Sequence, residues 1–306
     1  MRYHRPVSTA EAFAVLASEP QTSRVLVGGT DLLVALRHKT VEPTVVVDIK
    51  GVRDLVAPVS VDDGGVTFGP TATMTDVIAH PVVRDWFPAL VEAALLVGSV
   101  AIRNRASLIA NSANGSPAAD TSPPLVALDA EVTIASVEGE RTVELRDFFL
   151  APRRTLCGPG EMVTSLRVPR PAPGSSSSFE RMTRRRGVDL ATCSVAAVVD
   201  RDGVMTVGLG ALGPTTLLGG PVAGVDLASP AELDRAVDAL LEPATPIGDV
   251  RAGKAYRTAM ARVLTRRAVL RAAARRSEEE VPLPDVLGGG ASESTERDHT
   301  TGGATP

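Results

Sequence analysis

The chain has 306 residues, which allows about two domains, and 44% of them are hydrophobic, ample for buried cores. Its net charge of -4 disfavours a nucleic-acid partner. Two cysteines, Cys157 and Cys193, cannot build a disulfide framework or hold an iron–sulfur cluster within the chain, and four scattered histidines lack metal-ligand spacing.

The stretch Met1 to Pro6 lacks the apolar core of a signal peptide. No apolar run reaches the roughly 18 residues of a membrane span, so the sequence reads as a soluble, cytoplasmic protein. Ser8 stands at the capping-box spacing before Glu11 and predicts a helix to about Ser18. Val25 to Val27 is a short apolar strand. Gly28 and Gly29 follow, then Thr30, a good helix N-cap, then a helix over 32–38. A strand that turns through glycine into a helix start makes an anion site. The glycines let backbone N–H groups approach a ligand, the helix start favours negative charge, and phosphate or pyrophosphate is the natural guest. A plain turn without a ligand is the other reading of the same residues.

Val45 to Ile49 is an apolar strand, and strand, helix and strand imply a small parallel α/β unit. Residues 56–70 read as a hairpin turning at Asp62-Asp63-Gly64-Gly65. Thr73 or Thr75 caps a helix through Ile78, and Ala89 to Val97 is a second helix ending at Gly98. Residues 102–120 are rich in small residues and short of regular period, and read as a loop held against something. Pro124 to Leu128 is helical, and 131–136, 141–144 and 161–168 are strands. Pro169 to Ser178 is the clearest linker. Beyond it, 196–199 and 204–209 form a hairpin, Pro230 to Leu241 is a helix, and Asp249 to Arg276 is one long helix rich in Ala and Arg. Residues 286–306 read as a disordered tail.

Five motifs in order then resemble one family. They are Val27-Gly28-Gly29-Thr30-Asp31-Leu32-Leu33; Ile102-Arg103-Asn104 leading into Asn111 to Asp120; Asp147-Phe148-Phe149 with Arg154-Thr155-Leu156 and Pro159-Gly160-Glu161; Arg184-Arg185 with Asp189-Leu190-Ala191; and Tyr256-Arg257 with Val263-Leu264 and Arg266-Arg267-Ala268. The chain resembles, over about 3–276, the medium, FAD-binding subunit of the molybdenum hydroxylases, the xanthine dehydrogenase and carbon monoxide dehydrogenase type. The resemblance implies an α+β fold. A two-part FAD-binding domain of vanillyl-alcohol-oxidase (PCMH) type would span 1–172, with α/β subdomains at about 1–55 and 56–172. A small α/β C-terminal domain of the CO dehydrogenase flavoprotein type, on a three-stranded sheet, would span 173–285. The resemblance further implies an electron-transfer role. Electrons would pass from two-iron clusters of a small partner subunit, through FAD, to NAD or another acceptor, while a large partner subunit holds molybdopterin.

By the same resemblance, Val27, Gly28, Gly29, Thr30, Asp31, Leu32 and Leu33 would wrap the FAD pyrophosphate. Ser107, Leu108, Ile109, Ala110 and Asn111 would form the second phosphate and ribityl loop. The family has two adjacent glycines where this chain has Ile109 and Ala110, a departure that argues for a re-routed loop, with Gly115 or Asn114 taking the strain, or for weakened FAD binding. Asp120 would reach the flavin side of the site; as plain sequence it also reads as a helix N-cap. Val163 would supply a backbone contact and Val97 would lie over the ring. Arg181 stands where the family has lysine near the flavin, and also reads as part of a solvated basic run with Arg184, Arg185 and Arg186. No His or Cys matches a flavin-linking position, so FAD would be non-covalent. The arginines of the last helix read as a solvated face or as a contact with partner subunits. Two other readings remain: a scaffold subunit of the same fold that has lost FAD, and a stand-alone FAD oxidase.

Overall fold

The computed structural model describes residues 1–277 and 281–284; the expected disordered tail, 286–306, lies outside them. The chain opens with β1 (Arg2–His4), α1 (Thr9–Ser18), β2 (Ser23–Leu26), α2 (Leu32–Arg37) and β3 (Val45–Asp48). The strands pair in parallel in the order β1-β3-β2, and α1 packs Ala12 and Leu16 against Val45, Val47 and Ile49. The Ser8 hydroxyl accepts from the Glu11 N–H at 3.2 Å, as its spacing predicts, but Glu11 reaches back to the Val7 N–H instead of Ser8. Thr30 is not the cap of α2: that position falls to Asp31, which makes no side-chain cap bond.

The predicted hairpin is β4 (Val59–Asp62) and β5 (Gly65–Phe68). Thr73 and Asp76 then build a reciprocal capping box at the start of α3 (Met74–Ala79). Next come α4 (Pro81–Trp86) and α5 (Pro88–Leu95), each opening on a proline, where no backbone N–H is needed. The segment expected as loop is helical twice, as α6 (Val100–Arg103) and α7 (Leu108–Ala113). Ser99 and Ser107 cap them, accepting from the Ile102 and Ala110 N–H groups. Both helices are too short for a helical period to show in sequence.

After α8 (Ser122–Ala127) the chain adds β6 (Glu131–Ser136), β7 (Gly139–Glu144), α9 (Leu145–Phe148), β8 (Phe149–Ala151), β9 (Arg154–Thr155) and β10 (Met162–Pro169). The second sheet is antiparallel, in the order β4-β5-β10-β6-β7, with β8 and β9 as a separate hairpin. Phe68, Ile134 and Leu166 of this sheet share one core with Phe87, Leu90, Leu125 and Phe148.

The third sheet is β11 (Ser176–Met182), β12 (Cys193–Val199), β13 (Met205–Gly210) and β14 (Leu217–Val222), in that order. It has four strands, not the expected three. β14 reads Leu-Leu-Gly-Gly-Pro-Val, and glycine and proline hide a strand. The serines of the expected linker begin β11. α10 (Pro230–Leu240) and α11 (Lys254–Arg276) pack on this sheet. α11 starts later than predicted, because Asp249 is held in the preceding turn by Arg251 and Arg257, at 2.8 and 2.7 Å.

One buried carboxylate ties these layers together. Glu92 of α5 is 4% exposed; it accepts the Phe179 N–H of β11 at 2.8 Å and both the Arg271 and Arg275 guanidiniums of α11. Ala89, Ala93, Phe179 and Ala196 form a small apolar cluster between the same elements. The arginines of α11 are therefore not one solvated face. Arg257, Arg271 and Arg275 point inward, while Arg262 and Arg266 pair with Asp238 and Asp234 of α10. Glu92→Ala strands the buried Arg275 guanidinium, while the part-exposed Arg271 keeps Glu180, so it should cost about 3 kcal/mol of stability, measured as urea unfolding of the full chain. Glu92→Gln keeps an acceptor for the Phe179 N–H and should cost less.

Candidate cofactor site

The C-terminal ends of β2 and β3 lie side by side, with Leu26 opposite Asp48, and residues 27–31 turn there into α2. The two glycines of the turn serve different needs. Gly29 has φ +77, a region that side chains resist. A Cβ on Gly28 would stand 1.8 Å from the Arg105 carbonyl oxygen, so this turn lies directly on the segment joining α6 to α7. Among the described residues, the N–H groups of Gly28, Gly29, Thr30, Asp31 and Leu32 have no acceptor within the chain, and neither have those of Ser107 and Ile109.

These two sets of donors flank one cavity of about 870 Å³, within the usual size of a small-molecule site. Of the residues expected at the cofactor, Val27, Gly28, Gly29, Thr30, Asp31, Leu32, Ser107, Ile109, Ala110, Asn111 and Val163 line it. The other five do not. Leu33 is 57% exposed, Leu108 lies in the core, and Val97 packs against that core. Asp120 and Arg181 stand outside the wall as a buried ion pair, 2.5 Å apart. Asp120 is therefore not a helix cap, and Arg181 is not part of the exposed run at 184–186. Burial pushes the Asp120 carboxyl up to about 7, against the pull of Arg181, and its Oδ1 has no partner among the described residues. Next to it, the buried Thr121 hydroxyl donates to Asn111 Oδ1 at 2.7 Å, which leaves the Asn111 NH₂ as the free end of that amide at the cavity wall.

Ile109 and Ala110 sit inside α7 with helical backbone, and neither has positive φ. Ile109 faces the core, 4% exposed, and Gly115, at φ +59, takes the left-handed step after the helix. The strain expected from the missing glycine pair is therefore absent.

Sequence reading missed Arg24, His38, Thr40, Arg153 and Cys157, which also line the cavity. Arg153 forms the turn of the β8–β9 hairpin at φ +59 and donates from its N–H to the Gly115 carbonyl at 2.8 Å. Its only signal in the sequence is its position beside the Arg154-Thr155 motif. Glu161 is held below the usual carboxylate range by the Arg141 guanidinium. Burial, and then the nearby Glu161, pushes the Cys157 thiol up to about 11.

A run of free backbone donors, a second serine-capped turn facing it, and a cavity long enough to join them fit a dinucleotide with a pyrophosphate at its middle. The arrangement defines a candidate dinucleotide-binding protein of the α+β class. The family model described as the FAD binding domain in molybdopterin dehydrogenase matches residues 1–171, and that of the CO dehydrogenase flavoprotein C-terminal domain matches 177–272. The chain belongs to this family, and it is an FAD-binding oxidoreductase subunit. It is 34% identical to the carbon monoxide dehydrogenase medium chain of Afipia carboxidovorans, over 89% of this chain and 96% of that one. It is 27% identical to a putative xanthine dehydrogenase FAD-binding subunit of Escherichia coli, over 89% and 96%. Among solved structures, reconstituted CO dehydrogenase from Oligotropha carboxidovorans superposes with a TM-score of 0.85 at 31% identity, covering 90% of this chain and 98% of that one. No helix among the described residues is long and apolar enough to cross a membrane.

Two outcomes follow from this geometry. Gly28→Ala must push the turn off the Arg105 carbonyl, and should lower FAD affinity at least tenfold, read by flavin fluorescence titration. Burial raises the Cys157 thiol to about 11, so little of it should be thiolate at pH 8. Its alkylation should rise about tenfold per pH unit up to pH 10 and slow when FAD is added, while the fully buried Cys193 stays unlabelled; mass spectrometry of the alkylated full chain reads both.

Proposed function

We propose that the chain is the electron-transfer subunit of a cytoplasmic, molybdopterin-dependent hydroxylase or dehydrogenase complex. It would take electrons from two-iron clusters of a small partner subunit and pass them to NAD or another acceptor, while a large partner subunit carries molybdopterin. When bound, non-covalent FAD supplies the redox chemistry; this chain supplies its bed and excludes water from it. The units at 1–172 and 173–285 would divide the work. The first holds the cofactor, with the Gly28–Leu32 donors on the pyrophosphate and Ser107, Ile109 and Asn111 opposite. The second packs against the first, with Arg181 and Asp120 at the joint.

The supporting observation is the pairing of two unsatisfied donor runs across one cavity, where a bare scaffold would have closed or filled the gap. Names of relatives point the same way: several are medium chains or FAD-binding subunits of dehydrogenases. The purified full chain should carry flavin absorbance at close to one FAD per chain, or bind added FAD at that ratio. A folded chain with no flavin bands and no titration overturns the reading. Co-expressed with its molybdopterin and iron–sulfur partners, it should confer substrate-dependent NAD or dye reduction that the partners lack without it.

A further inference from the structure

Behind the glycine turn lies a charge cluster outside the cofactor bed. Lys50, on the 3-10 turn Ile49–Gly51 after β3, donates from Nζ to the Val27 carbonyl at 2.9 Å and to Asp48 Oδ1 at 2.6 Å. Asp48, 4% exposed, also accepts the Lys50 backbone N–H through Oδ1 and the Tyr3 hydroxyl through Oδ2. Burial pushes the Asp48 carboxyl up, but the bonds from Lys50 and Tyr3 outweigh it and hold the group below its usual range. Three strands thus contribute to one anchor: Tyr3 from β1, Asp48 from β3, and the Val27 carbonyl just past β2.

Lys50 is not in the cavity wall. Its reach to the ligand runs through one peptide group. The Val27 carbonyl and the Gly28 N–H belong to the same planar trans peptide and point in opposite directions. Pinning the carbonyl on a fixed ammonium therefore aims the first N–H of the free run away from Lys50. The same charge draws electron density from that carbonyl and adds positive potential close behind an anion site.

We propose that Lys50, held by Asp48 and Tyr3, is a positioning residue for the diphosphate of the bound nucleotide: it aims the Gly28 N–H, the first of the Gly28–Leu32 donors, and lends the run its charge. This rests on the FAD reading of the cavity. The test is ligand affinity of the full-length, deflavinated chain, by calorimetry or fluorescence quenching. Lys50→Met should weaken FAD and ADP about tenfold, which is about 1.4 kcal/mol, and leave adenosine and riboflavin, which lack phosphates, within twofold. The difference should shrink in high salt, and Lys50→Arg should recover most of the loss. Tyr3→Phe, at an exposed strand residue, keeps the fold and should give a smaller loss of about twofold for the phosphate-bearing ligands alone; it carries the test if Lys50→Met does not fold. Unchanged FAD and ADP affinity in these variants overturns the proposal, as do equal losses for adenosine and riboflavin, which mark a purely structural role. A folded wild-type chain that binds neither FAD nor ADP overturns the FAD reading itself.

Discussion

The carbonyl of Arg105 occupies the space that any side chain at position 28 would need. The whole site depends on that close approach. Gly28 follows β2 of the parallel unit, and Arg105 belongs to the stretch between α6 and α7. Where they touch, two helix starts are brought to face one cavity. Arg105 is itself held in a tight turn, since the Ile102 carbonyl accepts the N–H groups of both Arg105 and Ala106, at 3.0 and 2.8 Å. The neighbouring glycine answers a different demand, its φ of +77. Two adjacent glycines thus have two separate physical reasons, one of space and one of conformation.

Much of this is legible in the residues. The glycine turn, the Ser8 and Thr73 caps, the Asp62–Gly65 hairpin turn and the helix that opens on Pro230 are local signals, and local signals survive in a sequence. What stays hidden is set by distant partners. Nothing near Asp249 says that Arg257 will fold back to it, so the sequence places the start of the last helix too early. β14 is a strand because Leu217, Leu218 and Gly219 find β13 beside them, against their own glycine and proline content. Thr30 looks like a cap, yet the turn leaves its N–H and its neighbours' open, a strained choice for stability and a useful one for an anion. Leu33, Leu108 and Val97 enter the expected site by motif position alone, and a motif is a string. Around a short helix only some positions face the ligand, and the rest face core or solvent.

The Ile109–Ala110 pair shows how a family pattern can be broken without losing its geometry. Two glycines permit a backbone that other residues cannot follow. This chain does not follow it there. It makes one helical turn, places Ile109 in the core, and moves the left-handed step to Gly115, where the Arg153 N–H meets the carbonyl. Most of the isoleucine side chain is buried in the core, and only part of the residue borders the cavity. Beside it the wall carries the Ala110 methyl group and an asparagine amide whose orientation Thr121 sets.

Burying charge at the seam between the second and third sheets is costly, and ion pairs there are poor evidence for stability. They are better evidence for orientation. Glu92 can be satisfied only when β11 and α11 stand where they do, because its partners come from both. Asp120 and Arg181 add a second fixed point on the same seam, near the end of the segment that carries Asn111. An apolar seam would let the two units slide over one another by small steps, each step nearly equal in energy. Two buried pairs make such a slide expensive at once, since either shift strands a charge. The Gly28–Arg105 contact shapes the cavity directly, while the Glu92 cluster and the Asp120–Arg181 pair fix how the C-terminal sheet stands against the part of the chain that lines it. The less such a seam has to be ordered when a ligand arrives, the less of the binding free energy is lost in ordering it.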